Sequence, residues 1–181
     1  MIQTITCNAC GKCCLPFVTI SVSDIIRILS HLREDANNWQ KYFNLLIDES
    51  GYWYHSCILE LKEGSSGNCI FFDIETQLCS IHSFKPWKCS RYYCRKFRKD
   101  TTIEEFYQKH GLEGMIKVDY MREKQFSIET NILIDALSLY KVNNSIEAVK
   151  DYLEDLISSK GLQSDQIDMF IRIIRDYHKK D

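Results

Sequence analysis

Residues 7–14 read Cys-Asn-Ala-Cys-Gly-Lys-Cys-Cys, which places four cysteines within eight positions. A C-x-x-C step lets two thiolates converge on one ion or cluster, and Gly11 relieves the tight backbone that such a turn requires. Two steps in succession are expected to set Cys7, Cys10 and Cys13 around one centre. Three closely spaced thiolates with a remote fourth are a common way to hold a [4Fe–4S] cluster, whereas structural zinc sites more often use two separated C-x-x-C pairs.

Cys14 directly follows Cys13, and adjacent residues of an extended chain point their side chains in opposite directions. The two are therefore poorly placed to bind one mononuclear ion together. Cys14 either faces a second centre or packs as a small buried apolar residue.

A second group of cysteines follows the spacing Cys69-x9-Cys79-x9-Cys89-x4-Cys94, which is not diagnostic by itself. With the first group it gives four plus four thiols, which suits two tetrahedral sites or one cluster with companion ligands. The ninth cysteine, Cys57, is assigned to the core. The predicted metal ligands are Cys7, Cys10, Cys13, Cys14, Cys69, Cys79, Cys89 and Cys94.

The overall composition indicates an ordinary globular chain. Its 181 residues carry a formal net charge of −2, which indicates no general attraction to nucleic acid or to a membrane. The first residues show no charged segment leading into an apolar run, and no apolar stretch is long enough to span a bilayer. We therefore expect a cytoplasmic chain with reduced thiols, in which metal rather than disulfides explains the cysteines. The expected partner is another protein, as substrate or binding partner.

The pattern predicts an α+β fold, with helices around a small antiparallel β region, a cysteine-ligated metal centre and a helical C-terminal part. Residues 1–98 are expected to form the cysteine-rich metal- or cluster-binding domain, and residues 101–181 a helical extension packed on it. Ser23 is expected to cap a first helix with an apolar face. A second amphipathic stretch, around Trp39 to Ile47, is assigned to the core. Its apolar residues are Trp39, Tyr42, Phe43, Leu46 and Ile47.

Short aromatic or β-branched runs between residues 50 and 98 predict two or three antiparallel strands, separated by turns at 64–68 and 73–77. The predicted strand segments are 52–54, 57–61, 69–72 and 78–82. The C-terminal part predicts helices that begin at Thr102, Ser127, Asn144 and Ser164, of which the first ends at Gly111 and the third at Gly161.

The sequence resembles the CxxCxxCC-type zinc- or iron-chelating domain family over about residues 7–98. The resemblance is carried by the motif at 7–14, by Gly67-Asn68-Cys69-Ile70-Phe71-Phe72-Asp73, by Cys79-Ser80-Ile81-His82, and by Lys85-Pro86 followed by Cys89-Ser90-Arg91-Tyr92-Tyr93-Cys94. This chain departs from the family pattern at three positions. Members usually have tyrosine where it has His82, and arginine where it has Lys85 and Ser90. The family includes flagellin lysine N-methylases, which implies an iron–sulfur cluster and S-adenosylmethionine as candidate cofactors.

Two further features are assigned to local roles. His82 lies three residues after Cys79 and is interpreted as a surface or hydrogen-bonded histidine rather than a ligand. The basic and aromatic segment from Lys85 to Lys99 is expected to offset the negative charge of a centre formed by Cys89 and Cys94, in preference to binding single-stranded nucleic acid.

The leading hypothesis is a cysteine-ligated metal-binding protein, with a [4Fe–4S] cluster favoured over a zinc or iron ion, in a redox or accessory role. A second hypothesis is an S-adenosylmethionine-dependent protein-lysine methyltransferase-like enzyme. A third is a structural zinc protein with a helical partner-binding module. No catalytic residues are assigned, because the chain has no phosphate-binding glycine loop, G-x-S-x-G elbow, H-E-x-x-H pair or glycine-rich nucleotide fingerprint.

Overall fold

The computed structural model describes Cys14 and residues 17–47, 57–65, 67–90 and 112–179. In these residues the chain combines helices with two small antiparallel sheets and ends in a helical part, which confirms the predicted α+β class. No helix in this portion has both the length and the apolar character that crossing a membrane requires. The elements in chain order are α1 Val22–Leu32, a 3₁₀ helix Ala36–Lys41, β1 Phe43–Ile47, β2 Cys57–Leu61, β3 Phe72–Asp73, β4 Leu78–Cys79, a 3₁₀ helix His82–Phe84, α2 Trp87–Ser90, α3 Leu112–Asn143, α4 Ile146–Lys160 and α5 Ser164–His178.

Helix α1 forms because apolar residues recur every three or four positions and a capping box closes its start. The buried residues Ile25, Ile28 and Leu29 form the face that the sequence predicts. The cap is Ser21, whose side chain accepts a hydrogen bond from the Asp24 amide at 3.1 Å, so the assignment of the cap to Ser23 is wrong. The sequence offers two serines two positions apart, and only Ser21 is followed three positions later by an acidic residue, Asp24.

Ser23 instead joins three helices through the buried carboxylate of Glu129 in α3. Glu129 Oε2 accepts a hydrogen bond from the Ser23 amide at 2.9 Å, and Oε1 accepts from Ser23 Oγ at 2.5 Å. Gln166 of α5 donates from Nε2 to Glu129 Oε1 at 3.1 Å and to Ser23 Oγ at 2.9 Å. Glu129 is only 1% exposed, so these donors replace the water that an ionised carboxylate would otherwise need.

The long helix α3 passes through Ser127 without a break, so the prediction of a helix start there is wrong. The Ser127 hydroxyl donates to the Glu123 carbonyl at 2.9 Å, one turn earlier, and a serine satisfied in this way is compatible with a helix interior. The sequence predicts an apolar side for this segment, and most of it is buried. The buried residues are Ile132, Leu133, Ala136, Leu137 and Tyr140, whereas the predicted Ile128 is only partly buried.

Helices α4 and α5 begin close to the predicted positions, with different caps. Ser145, rather than Asn144, caps α4 by accepting a hydrogen bond from the Ala148 amide at 3.2 Å. Gln163, rather than Ser164, is the cap residue of α5. Gly161 ends α4 in the left-handed conformation, as predicted, with φ 71°. Helix α3 packs against α4, α4 against α5, and α5 against α1.

The stretch from Trp39 to Ile47 divides between a 3₁₀ helix and strand β1. Trp39 and Phe43 are buried as predicted, and the Trp39 indole nitrogen donates to Asp176 of α5 at 2.9 Å. Strand β1 pairs with β2 in antiparallel register, with Leu46 opposite Ile58. Leu46 is 48% exposed, so its assignment to the core is wrong, because alternate residues of a strand face opposite sides of a sheet.

Candidate metal centre

The backbone around Cys69 joins the two cysteine groups. The Cys69 amide donates a hydrogen bond to the carbonyl oxygen of Cys14 at 3.0 Å, and Cys69 forms an isolated antiparallel bridge with Glu63. The Ile70 amide donates to the Lys62 carbonyl at 2.9 Å. The last cysteine of the motif at 7–14 and the first cysteine of the second group are thus held side by side, although the sequence separates them widely.

Cys79 lies in the hairpin that β3 and β4 form, directly opposite Phe72. Asp73 closes the turn by accepting a hydrogen bond from the Glu75 amide at 2.9 Å, and hydrogen bonds from the side chain and the amide of Thr76 lower the pKa of its carboxyl. The four residues at 74–77 form the turn that the sequence predicts, although strand β4 covers only Leu78–Cys79 of the segment predicted at 78–82.

Phe71, the residue before strand β3, attaches the β3–β4 hairpin to the core. Phe71 is 4% exposed, and its ring stacks on Tyr42 with centroids 5.2 Å apart and an interplanar angle of 18°. The Ser80 amide and hydroxyl both donate to the Phe71 carbonyl, at 2.9 and 3.2 Å. A hairpin with two residues in each strand buries little surface by itself, so Phe71 and these hydrogen bonds position Cys79.

Cys89 lies in the short helix α2, which α1 holds in place through residues 84–87. Arg27 donates from Nη1 to the Phe84 carbonyl at 2.5 Å and from Nη2 to the Lys85 carbonyl at 3.1 Å. Asp24 accepts from Arg27 Nη2 at 2.5 Å and from the Trp87 amide at 3.4 Å. We call these contacts the Asp24–Arg27 bracket. It fixes the backbone immediately before Cys89.

Three thiols of the second group, those of Cys69, Cys79 and Cys89, affect one another electrostatically. Burial, followed by the charges of Cys69 and Cys79, raises the pKa of the Cys89 thiol to about 12, and the Lys85 ammonium partly opposes this rise. Burial and the charge of Cys79 also raise the pKa of Cys69, against a lowering hydrogen bond from the Phe71 backbone. Cys69 is buried, whereas Cys79 and Cys89 are partly buried. Neighbouring thiols of this kind suit a cation, because a bound metal replaces their protons and removes the mutual repulsion of the thiolates.

The structure thus places Cys69, Cys79 and Cys89 in one neighbourhood, with Cys14 hydrogen-bonded to it through the backbone. None of these four described cysteines forms a disulfide. Across the ranges that the structure describes, no three His, Cys, Asp or Glu side chains are close enough to hold one ion. The other four predicted ligands, Cys7, Cys10, Cys13 and Cys94, lie outside the described residues, as does the prediction of a helix at 102–110. The eight-cysteine ligand set therefore stays a prediction.

His82 and the two described lysines of the basic segment have distinct surroundings. His82 is exposed, and its Nε2 lies 3.4 Å from Lys85 Nζ. Partial burial, followed by the charge of Lys85, lowers the pKa of His82. Lys88 Nζ lies 3.2 Å from Glu123 and 4.9 Å from the Trp87 ring centroid. Of these two lysines, Lys85 is the one whose charge influences the Cys89 thiol. The part of the segment from Arg91 to Lys99 is outside the described residues.

The sequence reasoning did not identify Asp24 and Arg27 as residues of this site. The Ser21-x-x-Asp24 spacing signals a capping box, which accounts for Asp24 locally. The contacts that the bracket makes with residues 84–87 span 57 to 63 residues of sequence, and no local pattern predicts them.

The comparison with protein families matches residues 6–111, which is more than half of the chain. The match begins just before Cys7 and includes both cysteine groups. No solved structure matches the chain. The predicted resemblance is confirmed, and it supports a metal-binding role with zinc or iron as the metal. The chain belongs to the CxxCxxCC family, described as a "Putative zinc- or iron-chelating domain".

Proposed function

We propose that this protein binds an iron–sulfur centre through cysteines of both groups and serves in a redox or accessory role. The observation that carries the proposal is the hydrogen bond from the Cys69 amide to the Cys14 carbonyl at 3.0 Å. This contact joins the end of the CxxCxxCC motif to the loop that leads to Cys79. Cys89 is close enough for its pKa to respond to the charges of Cys69 and Cys79.

The choice of iron–sulfur over zinc rests on the ligand pattern. Cys7, Cys10 and Cys13 supply three thiolates at the spacing of a cubane site, and the second group supplies remote thiolates. When bound, such a cluster would supply one-electron transfer. The protein would contribute the thiolates, the Phe71 amide near Cys69, and the Lys85 charge near Cys89.

The test is anaerobic purification followed by metal analysis, acid-labile sulfide determination and a visible absorption spectrum. Iron and sulfide with broad visible absorption are expected. A colourless protein with stoichiometric zinc would contradict the cluster and leave a structural or Lewis-acid site. A protein that takes up neither metal after anaerobic reconstitution would contradict metal binding itself.

A matched pair of variants tests which cysteines bind. Cys89→Ser should lower the metal content or change the spectrum, because serine is a poor ligand for soft metals. Cys57→Ser is the control, because Cys57 lies in β2 opposite Ile47 and belongs to neither cysteine group. Equal metal content in both variants and the unaltered protein would contradict the assignment of Cys89.

The methyltransferase alternative has a direct test. Calorimetric titration of the metal-loaded protein with S-adenosylmethionine would reveal a donor site as saturable heat. The leading proposal expects none.

A further inference from the structure

A cleft of about 420 Å³ lies between the start of α1, the 3₁₀ helix His82–Phe84 and α3. Its volume is within the range of small-molecule sites. None of the described cysteines lines it. The lining residues that matter are Ser23, Arg27, His82, Lys85, Trp87 and Phe126.

The charge of this cleft is positive once internal pairing is taken into account. Its carboxylate, Asp24, is 6% exposed and already accepts hydrogen bonds from Arg27 and from the Trp87 amide. Arg27 is in turn committed to Asp24 and to the carbonyls of Phe84 and Lys85. These two charges cancel within the Asp24–Arg27 bracket and leave the ammonium of Lys85.

Lys85 and His82 form a donor pair in the cleft. Lys85 Nζ lies 3.4 Å from His82 Nε2, and among the described residues Lys85 forms no salt bridge. An ammonium beside an imidazole in a cavity suits a carboxylate or phosphate group. The ammonium donates hydrogen bonds, and the imidazole donates one from Nε2 in the tautomer that carries its proton there. Ser83 also lines the cleft.

Two aromatic residues, Trp87 and Phe126, also line the cleft. Trp87 is 8% exposed and Phe126 is half-buried, and the ammonium of Lys88 lies 4.9 Å and 4.6 Å from their respective ring centroids. Two rings that line the same cleft and lie near the same ammonium suit a flat apolar group. The cleft therefore combines hydrogen-bond donors for an anion with aromatic lining residues.

We propose that this cleft binds a small organic anion, in which a carboxylate or phosphate is attached to a flat apolar body. The anionic group contacts Lys85 and His82, and the apolar body packs against Trp87 and Phe126. The site rests on the geometry of the cleft and goes beyond metal binding. Because Trp87 begins the helix that carries Cys89, a bound anion would contact the element that holds a predicted metal ligand.

The test is calorimetric titration of the full-length protein, as purified, with phenyl phosphate and with benzoate. Inorganic phosphate probes the anion alone, and benzyl alcohol probes the ring alone. We expect at least one of the aromatic anions to bind with one-to-one stoichiometry, at least about tenfold more tightly than either partial probe. The preferred anion distinguishes a phosphate from a carboxylate ligand. Absence of saturable binding by both aromatic anions, or equal binding of benzyl alcohol, would overturn the proposal.

Variants locate the binding. Lys85→Gln should weaken it by at least about tenfold, and Lys85→Arg should retain most of it because the charge is kept. Phe126→Leu should weaken binding while leaving Lys85 and His82 intact. Lys160→Gln, at the far end of α4, is the matched control. Circular dichroism establishes that each variant is folded. Unchanged affinity in folded Lys85→Gln and Phe126→Leu would place the anion elsewhere and overturn the proposal.

Discussion

Arg27 donates a hydrogen bond from Nη1 to the carbonyl oxygen of Phe84, 2.5 Å away and 57 residues later in the chain. The ring of Phe84 stacks in turn on His31, one helical turn after Arg27, with centroids 4.6 Å apart. Helix α1 thereby determines where the chain segment before Cys89 lies. The long-range contacts of this guanidinium fix the position of a predicted metal ligand more directly than any local pattern does.

Replacing Arg27 with methionine should lower the free energy of unfolding by about 1–3 kcal/mol, because two carbonyls lose their donor and the buried Asp24 loses its partner. The Arg27 side chain is 37% exposed, which limits the loss. Urea denaturation measures this change, and metal titration should show weaker binding. Arg175→Met, at an exposed position of α5, should change neither quantity appreciably. Unchanged metal affinity in Arg27→Met would contradict a positioning role for the bracket.

Glu129→Gln should lower the free energy of unfolding by about 1–3 kcal/mol. The carboxylate accepts from Ser23 and from Gln166, and an amide would turn a donor towards at least one of these donors. Urea denaturation again provides the measurement. Glu154→Gln, whose side chain is 51% exposed on α4, is the control and should remain within about 0.5 kcal/mol of the unaltered protein. Equal stability of the two variants would indicate that the buried network contributes nothing.

Gly67→Ala should destabilise the protein by about 1 kcal/mol and weaken metal binding, because Gly67 adopts φ 77° in the loop before Cys69. The added Cβ would lie 3.4 Å from Glu63 Oε1, so backbone strain rather than collision is the cause. Gly161→Ala is the matched control: φ is 71°, nothing lies within 4 Å, and the residue ends α4. Both variants should lose similar stability, and only Gly67→Ala should lose metal affinity. The same loss of affinity in both would mean that the effect is global.

His82 should titrate below the ordinary histidine pKa of about 6.5, because partial burial and the Lys85 charge disfavour the imidazolium. The sign follows from linkage: the unfolded chain takes up this proton at higher pH than the folded protein. The contribution of His82 to stability therefore falls as the pH drops from about 6.5 towards the folded pKa. An NMR titration of the His82 ring protons measures the pKa of this side chain as the midpoint of the titration. Lys85→Gln should raise the midpoint, and the distant Lys179→Gln should not. A midpoint unaffected by Lys85→Gln would contradict the stated electrostatic cause.

Periodicity in the sequence was a good guide to the faces that become buried. The spacing of Ile25, Ile28 and Leu29 identified the core side of α1, and the apolar side of α3 was equally clear. Residues that can cap a helix by hydrogen bonding were a poorer guide to where the helices begin. Ser127 resembles a helix cap in sequence, yet its hydroxyl is satisfied by Glu123 one turn earlier, and only the folded helix supplies that acceptor.

Only part of the candidate site can be predicted from the sequence. The cysteine pattern can be recognised in the sequence, because thiols are scarce and their spacing is specific to metal chemistry. The Asp24–Arg27 bracket and the cleft beside it cannot, because they form where α1 meets residues 84–87 and α3 in the folded chain. Aspartate, arginine and phenylalanine are common on any helix, so the contacts among them here are set by the tertiary fold and not by a local sequence pattern.

The family match stops at residue 111, whereas the contacts that complete the core lie beyond it. Glu129 and Gln166, which close over Ser23 at the start of α1, both belong to the later helices. Excision at the family boundary would expose Ile25 and Ile28 to water and leave a fragment prone to self-association. The apolar face of α1, which lies inside the matched segment, is therefore covered by a helix that lies outside it, α5.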